Sequence, residues 1–160
     1  MGRLILILAL VAVQAVVGIP DYMYEGNYWL RALTYHFFHA NWWHLAVNSI
    51  AIFSIYKSCK LCRDLVIPLI IAVLVFPLSF RPVIGFSNIL YATLGSRTPS
   101  LKSPWWKQPQ VIVFLVVTIA LAFVPKFSAT THIAAFILGM FTASVRRFHQ
   151  SLLRDAGRYL

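Results

Sequence analysis

An all-α integral membrane protein, folded as a compact bundle of six transmembrane helices around a short fourth helix, is the architecture this sequence predicts. Three observations predict it. Of the 160 residues, 60% are hydrophobic and only 11% charged, and the mean hydropathy of +0.77 lies above the soluble globular range. Six apolar runs punctuate the chain, several approaching the length that crosses a bilayer. The 14 Lys and Arg residues, which give a net charge of +10, fall between those runs, as membrane topology places them, and not on one face, as nucleic-acid binding would need. With no internal repeat and no low-complexity segment, residues 1–160 read as a single membrane domain.

The first run, residues 4–19, follows Arg3. It is similar to a signal peptide, but five further apolar segments need a partner to pack against, so a retained helix is expected. Residues 20–36 read as a polar and aromatic loop carrying Asp21, Glu25 and Arg31, with Tyr22, Tyr24, Tyr28 and Trp29 suited to an interfacial belt. The second helix spans 38–56 and is closed by Lys57, Lys60 and Arg63. The third spans 65–80 with Pro68 and Pro77 inside it, which is tolerated where neighbours re-satisfy the freed carbonyls; Arg81-Pro82 then turns the chain.

The fourth helix, 85–95, is too short to face lipid along its length and should be buried by its neighbours. A basic linker, 96–110, places Trp105 and Trp106 at an interface. The fifth helix, 111–124, ends at Pro125-Lys126. The sixth, 129–145, ends at Arg146-Arg147, and residues 147–160 form a polar cytoplasmic tail with Arg154 and Arg158. Cys59 and Cys62 form a Cys-x-x-Cys pair with no βαβ pattern and no second ligand pair, so reduced thiols are expected.

Six helices put both termini on one side. That side collects Arg3, Lys57, Lys60, Arg63, Arg97, Lys102, Lys107, Arg146, Arg147, Arg154 and Arg158, eleven in all, against Arg31, Arg81 and Lys126 on the other. The positive-inside rule makes the richer side cytoplasmic.

This topology brings polar residues together. Helices two, four and six enter from the outer face, and His39, His44 and Asn48, then Ser87, then His132 lie in their first turns. At a rise of about 1.5 Å per residue, all five share one depth on the outer side. Polar groups at such a depth are costly unless they serve a site. Small residues, Gly85, Ala92 and Gly95 on helix four and Ala135, Gly139 and Ala143 on helix six, let two helices approach closely and bring Ser87 beside His132. That pairs a nucleophile with a base. All four acidic residues lie elsewhere: Asp64 and Asp155 on the cytoplasmic side, Asp21 and Glu25 in the outer loop. A Ser–His dyad is therefore expected, with His44, Asn48 and the Ser87 backbone N–H as oxyanion donors. No metal is expected, since three imidazoles at that depth have no carboxylate or thiol beside them, and no other cofactor is implied. His36 and His149 read as ordinary loop or interfacial residues.

With those residues in place, the chain resembles the rhomboid intramembrane serine proteases. Trp29-Leu30-Arg31-Ala32-Leu33-Thr34-Tyr35 and His39-x4-His44-x3-Asn48 are similar to the family's loop-one and helix-two signature. Gly85-Phe86-Ser87-Asn88 resembles its Gly-x-Ser-Gly, Tyr91 its tyrosine facing the catalytic histidine, and His132-x2-Ala135-x3-Gly139 its helix-six motif. The resemblance covers roughly residues 4–146. It implies the rhomboid-like six-helix fold, cleavage of transmembrane segments of membrane proteins near the outer face, His44 and Asn48 serving the oxyanion, and His39 bracing the first loop. It also implies a lipid bilayer and transmembrane protein substrates as partners, no nucleic acid, and a bacterial inner (plasma) membrane as the location. Asn88 departs from the pattern, putting a side chain beside the oxyanion hole that either donates a further hydrogen bond or crowds the substrate. Ala135 stands where a close-packing glycine is usual, and Thr131 where alanine is.

Two other functions fit the same composition. A catalytically inactive rhomboid-like protein would bind transmembrane clients; retention of both Ser87 and His132 counts against it. A small transporter would relay protons through the histidines, but acidic relay partners at mid-membrane depth are missing.

Overall fold

The computed structural model describes residues 1–20, 23, 27–56, 61–79, 83–98, 104, 107–123 and 128–156. Among the described residues the chain is all α, with no strand. Seven α-helices run in order: α1 (Gly2–Val16), α2 (Tyr28–Thr34), α3 (Trp42–Ile55), α4 (Leu61–Val75), α5 (Ser87–Arg97), α6 (Pro109–Ala122) and α7 (Ala129–Ala156). Two 3-10 turns, Tyr35–Phe37 and Phe76–Leu78, sit between them. Six of the seven overlap the apolar runs; α2 falls where a loop was expected.

Local chemistry explains the boundaries. Asn27 caps α2, its side chain accepting from the N–H groups of Trp29 and Leu30. Asn41 caps α3 in the same way, accepting from His44 N–H at 2.8 Å. Capping at Asn41 moves the start of the second long helix from the expected 38 to Trp42, so His39 precedes that helix instead of lying in its first turn. Pro68 lies inside α4 as expected, but Pro77 does not: the helix gives way to the 3-10 turn at Phe76, because proline lacks the N–H and clashes with the preceding turn. The last helix does not stop at Arg146-Arg147. Arginine is a good helix former and no glycine or proline follows until Gly157, so α7 continues through Arg154 to Ala156, and that much of the expected tail is helical.

The middle of the molecule is α5, whose residues Asn88 through Gly95 are all buried. Leu10 of α1, Leu45, Ile52 and Ile55 of α3 and Ala72 of α4 pack with Ile89 and Leu90 on one side. Ile71 and Val75 of α4, Val111 of α6 and Ala135 and Phe136 of α7 pack with Tyr91, Ala92 and Leu94 on the other. A third cluster ties Ala32, Tyr35 and Phe38 to Phe76 and Val83. The α5–α7 seam is the tightest. A Cβ built on Gly95 would lie 2.1 Å from the Phe136 carbonyl oxygen, and one on Gly139 2.2 Å from that of Ala92. Backbone touches backbone there, which Ala135, fully buried in the same seam, does not prevent.

Large apolar side chains also cover the exterior: Ile5, Leu8, Val47, Ile50, Ile70, Ile119 and Ile137 are all more than half exposed. So much apolar surface is foreign to a water-facing monomer. Among the described residues, no helix is long and apolar enough to cross a membrane; the 15 residues of α1 or α4 span only about 22 Å. Asp21, Glu25, Tyr22, Tyr24, Lys57, Cys59, Lys60, Arg81, Lys102, Trp105, Trp106, Lys126 and Arg158 lie outside the described residues.

Candidate active site

Ser87 is the first residue of α5 and His132 the fourth of α7, and the glycine seam holds those two helix starts against each other. The Ser87 hydroxyl and His132 Nε2 are 2.7 Å apart. His132 Nδ1 lies 2.5 Å from the Ser128 carbonyl oxygen. A carbonyl only accepts, so Nδ1 carries the proton and Nε2 presents its lone pair to the serine. The position a triad would give to a carboxylate is thus taken by a backbone oxygen.

Ser128 is itself held. Its hydroxyl meets Ser79 Oγ at 3.3 Å, and its carbonyl also accepts from Thr131 Oγ1 at 3.0 Å. Thr130 Oγ1 donates to the Leu78 carbonyl, pinning the start of α7 to the turn after α4. Thr131, the departure from the usual alanine, is buried and satisfied in this way. On the far side of the imidazole, the Tyr91 ring packs edge-on, 4.9 Å between centroids and 77° between planes. Its hydroxyl donates to the Phe114 carbonyl at 2.9 Å and meets Thr118 Oγ1, fastening α6 to the back of the site.

The residues expected to stabilise an oxyanion converge on Gly85, two residues before the serine. Gly85 has φ +117°, which side-chain-bearing residues rarely adopt. A Cβ there would lie 2.6 Å from His44 Cε1, 2.9 Å from His44 Nε2 and 3.3 Å from Asn48 Nδ2. His44 Nδ1 accepts from Ala40 N–H at 3.4 Å, which leaves the ring's proton on Nε2, facing Gly85. Asn48 Nδ2 is buried and meets no hydrogen-bond partner among the described residues. The Ser87 N–H begins a helix, where amides have no intrahelical acceptor. His44 Nε2 and Asn48 Nδ2 therefore border one small space at Gly85, two residues before the serine.

His39 stands behind His44, their ring centroids 5.2 Å apart. It is fully buried, and burial pushes it down to about 4. No group of residues with metal-ligand geometry occurs among the described residues.

Asn88 is not where the sequence put it. Its side chain turns away from the oxyanion space, is fully buried, and donates to the Tyr35 hydroxyl at 2.9 Å. An α-helix spreads successive residues by about 100°, so Asn88 points away from the side on which Ser87 meets His132. Tyr35 in turn donates to the Ala72 carbonyl at 2.9 Å, and its own carbonyl accepts from Gly85 N–H at 2.9 Å. Tyr35 and Ser128 are the two contributors that sequence reasoning missed. Ser128 was within reach, lying one helical turn before His132; Tyr35 carries no signal beyond its place in the aromatic lead-in. His36, read as an ordinary loop or interfacial residue, is also fully buried, and His149, read in the same way, is exposed and lies within α7.

The family model for the Rhomboid domain matches residues 26–147. That span takes in every residue of the site just described. Among curated proteins none matches the chain.

Proposed function

Because the chain belongs to the rhomboid family of membrane proteins, we propose that it is an intramembrane serine endopeptidase, cutting transmembrane segments of membrane proteins near the outer face with a Ser87–His132 dyad. The observation that carries this reading is the 2.7 Å contact between Ser87 Oγ and His132 Nε2, with Nδ1 engaged by a carbonyl. In the proposed reaction Ser87 Oγ attacks the scissile carbonyl while its proton passes to His132 Nε2. The imidazolium is stabilised through Nδ1–H and the Ser128 carbonyl. Negative charge on the substrate oxygen is met by His44 Nε2–H, Asn48 Nδ2–H and the Ser87 N–H. His132 then gives its proton to the leaving amine, the C–N bond breaks, and an ester to Ser87 remains. A water molecule, deprotonated by His132, cleaves that ester and restores the hydroxyl.

The apolar exterior supports a lipid setting, and the charge asymmetry supports six spans with both termini cytoplasmic; the bilayer we propose is a bacterial inner membrane. The test is labelling by a fluorophosphonate together with cleavage of a panel of single-span segments. Wild type should be labelled and cleave; Ser87→Ala should do neither, and His132→Ala should lose several orders of magnitude in turnover. Equal labelling of wild type and Ser87→Ala would remove the nucleophile. Labelling-negative wild type that still retains single-span segments would instead favour a client-binding protein.

A further inference from the structure

From Val111 to Ala122, α6 carries a single polar side chain, Thr118. Most of that helix faces outward: Ile112, Val113, Val116, Val117 and Ile119 are all exposed. Thr118 is instead buried, on the same narrow stripe as Val111, two turns before it. A hydroxyl in so apolar a helix is costly unless it has a partner. Its bond to the Phe114 carbonyl, 2.7 Å away and one turn back, would satisfy it on any face of the helix. That bond does not explain why the hydroxyl is turned toward α5.

What it meets there is Tyr91. The Tyr91 hydroxyl, Thr118 Oγ1 and the Phe114 carbonyl oxygen form a closed triangle of contacts. A carbonyl only accepts, so the two hydroxyl protons are both engaged within the triangle. Among the described residues, both partners of the tyrosine hydroxyl belong to α6. The ring is bracketed as well. Phe114 packs edge-on against it with 5.0 Å between centroids and 80° between planes, and His132 does so at 4.9 Å and 77°. Contact thus runs from α6, through Tyr91 on α5, to the imidazole on α7.

That imidazole is bonded at both nitrogens, Nδ1 to the Ser128 carbonyl and Nε2 to Ser87 Oγ. Hydrogen bonds at ring nitrogens run close to the ring plane, so they resist turning within it. They do little against tipping about the line through the two nitrogens. A ring packed edge-on against the imidazole resists tipping, provided it is itself fixed. The α6 triangle fixes the hydroxyl end of Tyr91. We propose that Thr118 is a positioning residue, acting through the Tyr91 hydroxyl to hold the tilt of the His132 imidazole toward Ser87. The positioning stands on the contacts alone; its consequence for turnover rests on the dyad reading above. A helix that carries no catalytic group thereby contributes to the base.

The test compares the full-length protein in detergent with four variants. Thr118→Val keeps the shape and removes the hydroxyl, Thr118→Ser keeps the hydroxyl, Tyr91→Phe keeps the ring, and the fourth combines Thr118→Val with Tyr91→Phe. NMR of carbon-labelled histidine, with His132 assigned through His132→Gln, follows the imidazole C–H resonances, which the Tyr91 ring displaces whether or not the protein is active. Rates of fluorophosphonate labelling and of single-span segment cleavage follow the chemistry. In Thr118→Val the His132 resonances should move. Labelling rate and kcat should fall by about tenfold with KM unchanged, while Thr118→Ser should stay within about twofold of wild type. The double variant should lose no more than Tyr91→Phe alone, since the two groups act in series. Should Thr118→Val fail to fold, Tyr91→Phe opens the same triangle from the other end and should move the same resonances. Unmoved His132 resonances, equal losses from Thr118→Val and Thr118→Ser, or additive losses in the double variant would overturn the proposal. Moved resonances in Thr118→Val beside a wild type that no fluorophosphonate labels would uphold the positioning and remove the protease reading instead.

Discussion

Helix α5 is held from two sides by opposite means. Against α7 it is held by absence: Gly95 and Gly139 carry no side chains, and backbones meet directly. Against the Tyr35–Asn48 segment it is held by polar side chains, through Asn88 to Tyr35, Tyr35 to Ala72, and Gly85 to the Tyr35 carbonyl. The first seam sets the Ser87–His132 distance. The second sets where His44 and Asn48 stand relative to Ser87. A steric seam has no graded response, because an added methyl either fits or forces the helices apart. A hydrogen-bonded seam can lose one bond and keep the rest. The proposed nucleophile and base should therefore fail abruptly, and the proposed oxyanion donors by degrees.

The sharpest way to break this contrast is Gly139→Val. Its Cβ would lie 2.2 Å from the Ala92 carbonyl oxygen, which no rotamer relieves. The expected outcome is complete loss of fluorophosphonate labelling, with a fall in thermal stability of several kcal/mol. Near-normal labelling would mean that the seam does not set the dyad. On the other side, Gly85→Ala forces a β-carbon to φ +117° and against His44 Nε2. Turnover should fall by about 10²–10³, the usual cost of losing an oxyanion donor, while folding and α5–α7 packing persist. A Gly85→Ala protein that turns over normally would detach His44 and Asn48 from the chemistry.

How much of this was legible in the sequence follows the same division. The small-residue stripes of α5 and α7 repeat at helical spacing, so the steric seam and the meeting of Ser87 with His132 could be read from periodicity. The polar seam could not. Tyr35 belongs to a segment with no period, and whether Asn88 points at Gly85 or at Tyr35 depends on the rotation of a short helix, which a sequence with apolar residues all round does not declare. Helix ends were misplaced where a capping side chain outranked hydropathy, as at Asn41, or where a charged stretch remained helical, as after Arg146. The extent of α2 was hidden because Tyr28–Thr34 is aromatic and polar enough to pass for a loop.

Smaller effects should come from single bonds in the polar seam. Asn88→Ala removes the donor to the Tyr35 hydroxyl, which keeps its bond to the Ala72 carbonyl. The expected cost is about 1–2 kcal/mol of stability, with turnover down severalfold and labelling retained. This replaces the sequence-based expectation that Asn88 acts beside the oxyanion: loss of labelling with stability unchanged would restore it.

The mildest probe of the same seam is pH, through His36. The residue lies in the turn before α3, outside the helices proposed to span the membrane, and is fully buried with its ring centroid 3.8 Å from that of Tyr35. Burial pushes it down from 6.5 to about 3, an effect partly offset by the Ala32 carbonyl, and neither ring nitrogen makes a full hydrogen bond to a described residue. It is therefore neutral in the folded protein while the unfolded chain binds a proton below about pH 6.5. More protons on the unfolded state mean that stability falls as pH falls. The loss is absent above the unfolded value, grows by about 1.4 kcal/mol for each pH unit below it, and levels off near the folded value. His36→Phe keeps the ring and deletes the titration. Melting temperatures measured from pH 7 down to 4.5 should drop less for His36→Phe than for wild type, while His39, lowered to about 4, leaves a residual slope in both. Parallel curves would show that His36 is protonated without cost, and that the space under Tyr35 admits water.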